Sequence, residues 1–374
     1  MAGLYLHIPF CKQACHYCNF HFSTSLRAKP ALVVALLHEL ELQRDYLGGA
    51  ELTSIYFGGG TPSLLTISEL EQIFAKIQRL YPLSPTAEIT LEANPDDLNA
   101  ALLHDLKNYT PINRLSIGIQ SFHDTDLRWM NRAHNAAHAY SCLEAARRAG
   151  FDNLTIDLIY GAPTTSDQQW QENLEVAFQM QIPHLSCYCL TVEEGTALGT
   201  FVRKGQAAPV DDEQAARQME YLMAATAARG YEQYEISNFA RPGHYAQHNS
   251  SYWLGQPYLG IGPSAHSFNG RSRQSNIANN ALYIKGLEDN NLPFEVENLS
   301  PAQRYNEYVL TSLRTVWGTD PANLPAAEAR HFLQAVAQFL ADGRVERHGA
   351  VYRLSPAGRL FADRIAMELF LDTD

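Results

Sequence analysis

Short apolar runs alternate with longer amphipathic stretches through the first part of the chain. The runs Leu4–Ile8, Thr53–Phe57, Ala87–Glu92, Arg114–Gln120, Asn153–Ile159 and Leu185–Leu190 read as β-strands, rich in β-branched and aromatic residues. Between and after them, apolar residues recur at helical spacing over 30–47, 67–80, 97–108, 137–149, 167–180 and 212–229. In the first of these Leu32, Leu36 and Leu40 share one face, with Glu39 and Glu41 elsewhere. Strand–helix alternation predicts an α/β domain with a parallel sheet and right-handed crossovers. Six such units are too few for a closed eight-fold barrel, but the site is still expected at the C-terminal ends of the strands.

The texture changes after residue 230. Gly230–Asn269 is rich in Tyr, Asn, His, Gly and Pro and predicts an extra strand with ordered loops over the barrel mouth. Helical period returns over Arg304–Val316 and Glu328–Asp342. Gly343–Leu354 reads as a hairpin turning near His348-Gly349, and Pro356–Phe370 as a last helix. The expected organisation is therefore a barrel over 1–230, a barrel-mouth extension over 231–300 and a small winged-helix-like α+β domain over 301–374.

The 374 residues, 46% of them hydrophobic, suffice for one large core and a small one. A net charge of −12 argues against a general nucleic-acid binder, including use of the winged-helix-like tail on DNA. Neither a secretion signal nor an apolar run of membrane-spanning length is visible. Six cysteines in a chain this long do not make a disulfide scaffold.

Three of those cysteines carry the strongest chemical signal. Cys11, Cys15 and Cys18 follow the first strand at C-x3-C-x2-C spacing. Soft thiolates bind iron, and three of them hold three corners of a [4Fe–4S] cube and leave the fourth iron open. Zinc sites prefer four ligands in paired spacings, and no second pair follows here. Tyr17 would shield such a cluster from water. Gly58-Gly59-Gly60-Thr61-Pro62 follows the second strand, where glycines admit close backbone approach. Glu92 ends the third strand, Gln120 ends the fourth, Arg132 follows it, and Asp157 interrupts the apolar fifth. A charge in such a strand is costly unless paired, so Arg132 and Asp157 are expected to serve each other, either in a site or in a structural ion-pair network.

The cysteine motif resembles that of the radical S-adenosylmethionine (SAM) superfamily, whose open (β/α)6 partial barrel matches the six βα units. The resemblance implies a [4Fe–4S] cluster whose open iron chelates SAM, and an oxygen-sensitive protein of the reducing cytoplasm. Nearly the whole chain resembles one branch: the oxygen-independent coproporphyrinogen III oxidases and their relatives, the HemW-type haem chaperones. By that resemblance Tyr5, Tyr17, Gly59, Gly60, Thr61, Glu92, Gln120, Arg132 and Asp157 would line the SAM site, with a backbone contact near Tyr188 or Cys189.

Two features divide the branch. The oxidase has a further cysteine in a Cys-x-Cys pair where this chain has Asn19-Phe20, and its motif lies behind a long N-terminal extension, whereas here it begins at residue 5. Secondly, His248-Asn249-Ser250-Ser251-Tyr252-Trp253 matches the H-N-x-x-Y-W motif associated with haem in the chaperones. Imidazole is a good axial ligand, Tyr252 and Trp253 offer flat faces to a macrocycle, and Asn249 would orient the ring. His266 is a second candidate ligand. The bland alternative is a structural loop in which His248 is merely hydrogen-bonded. The expected function is a chaperone that binds cluster, SAM and haem. It would deliver haem to membrane respiratory apo-cytochromes from the cytoplasm or the membrane periphery. A bacterioferritin-like haem donor and a homodimer are family-level expectations. The competing reading is an oxygen-independent coproporphyrinogen III dehydrogenase, whose deoxyadenosyl radical oxidatively decarboxylates propionates to vinyl groups.

Overall fold

In the computed structural model, which describes residues 1–372, six strands run parallel in chain order across one sheet. They are β1 (Ala2–Ile8), β2 (Leu52–Gly59), β3 (Leu83–Ala93), β4 (Arg114–Gln120), β5 (Leu154–Tyr160) and β6 (His184–Cys189). The crossovers carry helices Lys29–Leu42, Ile67–Leu80, Ala100–Tyr109, Ala136–Arg148 and Asp167–Gln179, with Asp212–Ala228 after β6. Local chemistry starts them where they start: Thr66 with Glu69, Asn135 with His138 and Ser166 with Gln169 each close a reciprocal cap. The first helix ends at Leu42, short of the expected 47; residues 43–49 run on as turns that close through Gly48 and Gly49 with positive φ. The third begins at Ala100 rather than 97, where the Asn99 side chain accepts from the Leu102 N–H.

The two faces of this parallel sheet are unlike. Leu4, Leu6, Ile8, Ile55, Phe57, Leu91, Ile117, Ile156 and Leu185 are buried with the crossover helices in one core. The other parity is polar, and register brings its members side by side: Tyr5 with Tyr56, Ser54 with Glu88, Glu92 with Ser116, Thr155 with His184, and Asp157 with Ser186. Parallel strands covered on both faces are normally apolar throughout. Here the helices cover the apolar face, so the polar one is the inner face, shaped to hold something other than hydrocarbon.

The span 230–269 holds more order than expected: β7 (Glu232–Glu235), β8 (Asn238–Ala240), helix Gln247–Trp253, β9 (Tyr258–Ile261) and β10 (His266–Phe268). Each strand is too short to show a period in sequence. β9 pairs parallel with the free edge of β1, and the sheet continues antiparallel through β10, β11 (Ser272–Asn276) and β12 (Phe294–Asn298). At the opposite edge β8 pairs antiparallel with β6, and β7 with β8.

The C-terminal helices Pro301–Leu313, Ala326–Ala335 and Ala337–Ala341 enclose a second core with the hairpin β13 (Val345–His348) and β14 (Val351–Leu354), turning at Gly349. The expected last helix is two, Pro356–Arg359 and Ala362–Glu368. Arg314 ties this unit to the barrel: its Nε lies 2.7 Å from Oε1 of the buried Glu235, and its guanidinium lies 4.9 Å from the Trp253 ring centroid. No described helix is long and apolar enough to cross a membrane.

Candidate functional site

The loop after β1 places Cys11, Cys15 and Cys18 as free, half-buried thiols at the top of the inner face. Among the described residues no three or more His, Cys, Asp or Glu are gathered as for a single metal ion. A cube of four irons asks its thiolates to stand further apart than one ion does. Burial pushes the Cys11 thiol up to about 11, with the neighbouring Cys18 and Cys15 adding to the rise and the Thr61 hydroxyl opposing it.

The glycine loop builds this geometry as much as it could serve a ligand. A Cβ on Gly60 would stand 2.6 Å from the Phe10 carbonyl oxygen, and one on Gly59, at φ +103°, 2.6 Å from the His7 ring. The loop therefore presses against the strand that leads into the cysteines. Gly60 N–H donates to Ile8 O at 3.0 Å and Thr61 N–H to Phe10 O at 2.7 Å.

Below the cysteines lie the polar residues expected at a SAM site. The Tyr56 hydroxyl donates to Glu92 Oε1 at 2.6 Å. Burial pushes the Glu92 carboxyl up to about 7, with the Tyr56 bond opposing and Asp157 adding. Burial likewise raises Asp157 to about 6, against the pull of Ser186, Arg132 and Arg114. Two carboxyls buried on the same polar face and both raised favour a cation beside them.

Arg132 does not pair with Asp157, contrary to the sequence expectation. Its Nη2 donates to Asn94 Oδ1 at 2.6 Å and to Gly118 O at 2.8 Å, and its Nη1 to Cys15 Sγ at 3.3 Å and Tyr17 OH at 3.4 Å. The side chain thus spans from β4 to the cysteine loop, and its buried Nε has no partner. Gln120 ends β4 at φ +64°, a left-handed conformation uncommon outside glycine and frequent at functional sites. Tyr5 packs against both Tyr56 and His248, with ring centroids 6.1 and 6.4 Å away.

The His248 motif forms the helix Gln247–Trp253 at the barrel's inner face. Its first two N–H groups donate to the Glu88 carboxylate at 3.0 Å each. His248 has no exposed surface. Its Nδ1 lies 2.8 Å from Ser54 Oγ and its Nε2 2.7 Å from Tyr252 OH, while its ring stacks on Tyr56 with centroids 5.1 Å apart. Burial pushes its pKa down to about 3. Asn249, expected to orient the ring, is not among these partners. Ser54, Tyr56 and Glu88 were not singled out from sequence, yet they hold the motif. Their signal was the polar parity of strands 2 and 3, with Glu88 and Glu92 on one side of a run otherwise read as apolar.

Tyr252 and Trp253 face a cavity of about 1100 Å³ between the barrel mouth and the C-terminal unit. Phe20, Trp317, His266 and the guanidinium-bearing Arg273 and Arg304 also line it. Tyr5 and the segment 19–21 that follows Cys18 line it too, so the cavity adjoins the cysteine loop.

A split parallel barrel with three cysteines after its first strand defines a radical SAM protein, and residues 5–177 match the model of the radical SAM superfamily. Residues 299–361 match that of the HemN C-terminal domain. The chain is 36% identical to the heme chaperone HemW of Mycobacterium tuberculosis, over 98% of this chain and 94% of that one. It is 31% identical to the heme chaperone HemW of Bacillus subtilis, over 98% of each. The solved structure of coproporphyrinogen III oxidase (HemN) from Escherichia coli superposes with a TM-score of 0.85 over 99% of this chain and 90% of that one, at 22% identity, which speaks to fold alone. The chain belongs to the HemW family of heme chaperones.

Proposed function

We propose that this protein holds a [4Fe–4S] cluster, SAM and haem, and passes haem to membrane respiratory proteins that need it. The observation that carries the reading is the cavity at the barrel mouth. Its volume, about 1100 Å³, is just above the range of roughly 300–1,000 Å³ usual for small-molecule sites and so admits a large ligand. It offers aromatic faces from Phe20, Tyr252, Trp253 and Trp317, and cations from Arg273 and Arg304 suited to propionates.

Cys11, Cys15 and Cys18 would hold the cluster, which supplies an iron able to chelate and reduce SAM. Glu92 and Asp157 would face the cationic part of SAM, and the unpartnered Nε of Arg132 would face its carboxylate. Gly59, Gly60 and Thr61 fix the loop that frames it, and Tyr5, Tyr17 and Gln120 border the same space. Cytoplasmic residence, membrane-peripheral delivery, a bacterioferritin-like donor and a homodimer belong to this proposal as the setting the family suggests.

The test is anaerobic. Cluster-reconstituted protein is titrated with haemin, then incubated with coproporphyrinogen III, SAM and a strong reductant. Stoichiometric haemin binding without protoporphyrinogen formation is expected. Catalytic product by mass, or no haemin binding, would overturn the chaperone reading.

A further inference from the structure

Which side chain meets the haem iron is not the residue the motif first suggests. An iron ligand needs an imidazole nitrogen with a free lone pair facing the space the macrocycle occupies. His248 has none: Ser54 and Tyr252 take both nitrogens, the ring is wholly buried between Tyr56 and the helix backbone, and it does not line the cavity. His7 is similarly spent, its Nδ1 3.1 Å from Tyr5 OH and its Nε2 2.9 Å from His21 O. His21 also lines the cavity, but its ring is held by Nε2 on Asn280 Oδ1 at 2.7 Å and lies stacked against His7, with centroids 6.2 Å apart. His266 is different. It stands at the start of β10, lines the cavity with an exposed side chain, and neither ring nitrogen has a partner among the described residues.

Resting on the chaperone reading, we infer that His266 is the side chain that would ligate haem iron, and that His248 is a positioning residue that holds Tyr252 and Trp253 at the cavity wall. Three further observations agree. Burial and the charge of Arg273 lower the His266 pKa, which keeps the imidazole neutral and able to bind iron at pH 7. Two buried donors on the cavity wall, Trp253 Nε1 and Arg273 Nε, have no acceptor, as expected beside a ligand that brings its own carboxylates. Each of the two cavity arginines has one terminal nitrogen engaged: Arg273 Nη2 pairs with Glu307 Oε2, itself on the cavity wall, at 3.1 Å, and Arg304 Nη1 donates to Leu299 O at 2.9 Å. Both guanidinium groups therefore retain donors for propionates.

The experiment compares haemin spectra and electron paramagnetic resonance of full-length, cluster-reconstituted protein in four forms: unchanged, His266→Gly, His266→Met and His248→Gln. Ligand replacement moves the Soret band and the ferric spin-state signal, whereas loss of positioning weakens binding without moving them. His266→Gly is expected to bind haemin at least tenfold more weakly with a shifted band, and added imidazole to restore the original band. His266→Met is expected to keep binding with a thioether-ligated spectrum, which guards against a folding artefact in the glycine variant. His248→Gln is expected to lower affinity with the band in place. An unchanged spectrum in both His266 variants, or a band that moves only in His248→Gln, overturns the assignment while leaving the chaperone reading intact. Failure of the unsubstituted protein to bind haemin overturns both.

Discussion

At the scale of single residues, the cysteines and the glycine loop make separable claims. Replacing Cys11, Cys15 and Cys18 together by serine should abolish the visible absorption of the reconstituted cluster while the far-ultraviolet dichroism stays, since none of the three sits in a strand or helix. Survival of the full cluster spectrum would remove them as ligands. Gly60→Ala should act differently, because its Cβ would meet backbone oxygens of Phe10 and Ile8 that cannot swing aside. A cost of about 1–3 kcal/mol from this overpacking is expected in thermal melts, with faster loss of cluster absorption on dilution. Histidines set the acid limit. His248, His7 and His134 are pushed down to about 3, 4 and 4 by burial, so each stays neutral in the fold while the unfolded chain protonates near pH 6.5. Their stabilisation is complete above that pH and is lost as pH falls towards 4, at up to about 1.4 kcal/mol per pH unit for each. Melts of the unsubstituted protein and of His134→Gln between pH 7.5 and 5 should converge at the acid end.

Among the elements, the helix Lys29–Leu42 shows what sequence could and could not disclose. Its apolar face was legible from Leu32, Leu36 and Leu40, and so were the six strands, because apolar parity and period survive in any context. Glu39 was read as lying off that face, yet it is fully buried. It accepts from the Gly262 N–H at 2.7 Å, from Asn276 Nδ2 at 2.6 Å, and from the Tyr283 hydroxyl. Those partners lie more than two hundred residues downstream, Gly262 just past β9, Asn276 at the end of β11 and Tyr283 in the helix Asn280–Glu288, and no local pattern around Glu39 announces them. Separations of 194 and 160 residues likewise hid Ser54 and Glu88 as supports of His248. Burial, partly offset by these donors, raises Glu39 to about 7. A raised carboxyl stabilises most at low pH and loses that contribution as pH rises through 7, the opposite sense to the histidines. Glu39→Gln turns one accepting oxygen into a donor facing a donor. A loss of about 1–3 kcal/mol is expected at pH 6, narrowing at pH 8 where the charged glutamate is itself penalised. Equal losses at both pH values would mean that Glu39 stays ionised throughout.

For the whole molecule, the question is what holds the cavity closed on its far side. Two hydrophobic cores meet there, and among the polar ties beside them Arg314 is bonded to buried Glu235 on the barrel and laid over Trp253 on the cavity wall, with Arg273–Glu307 and Arg359–Gln233 as further links. Glu235 keeps the Ser237 N–H at 2.9 Å and Asn238 Nδ2 at 2.7 Å, so removing Arg314 strips one of several partners. Arg314→Ala should therefore cost about 2 kcal/mol rather than unfold the chain. The loss should be local in effect. Trp253 loses the guanidinium over its ring, and the Pro301–Leu313 helix is loosened at its C-terminal end while Glu307 stays paired with Arg273. Amide exchange should accelerate over that helix, and haemin affinity should fall, while cluster absorption, set by the loop after β1, stays the same. Arg314→Lys keeps a cation but not the flat guanidinium, and should fall between the two. If haemin affinity were unmoved in Arg314→Ala while exchange accelerated, the C-terminal unit would cover the cavity without shaping it, and recognition would rest on the barrel-side residues alone.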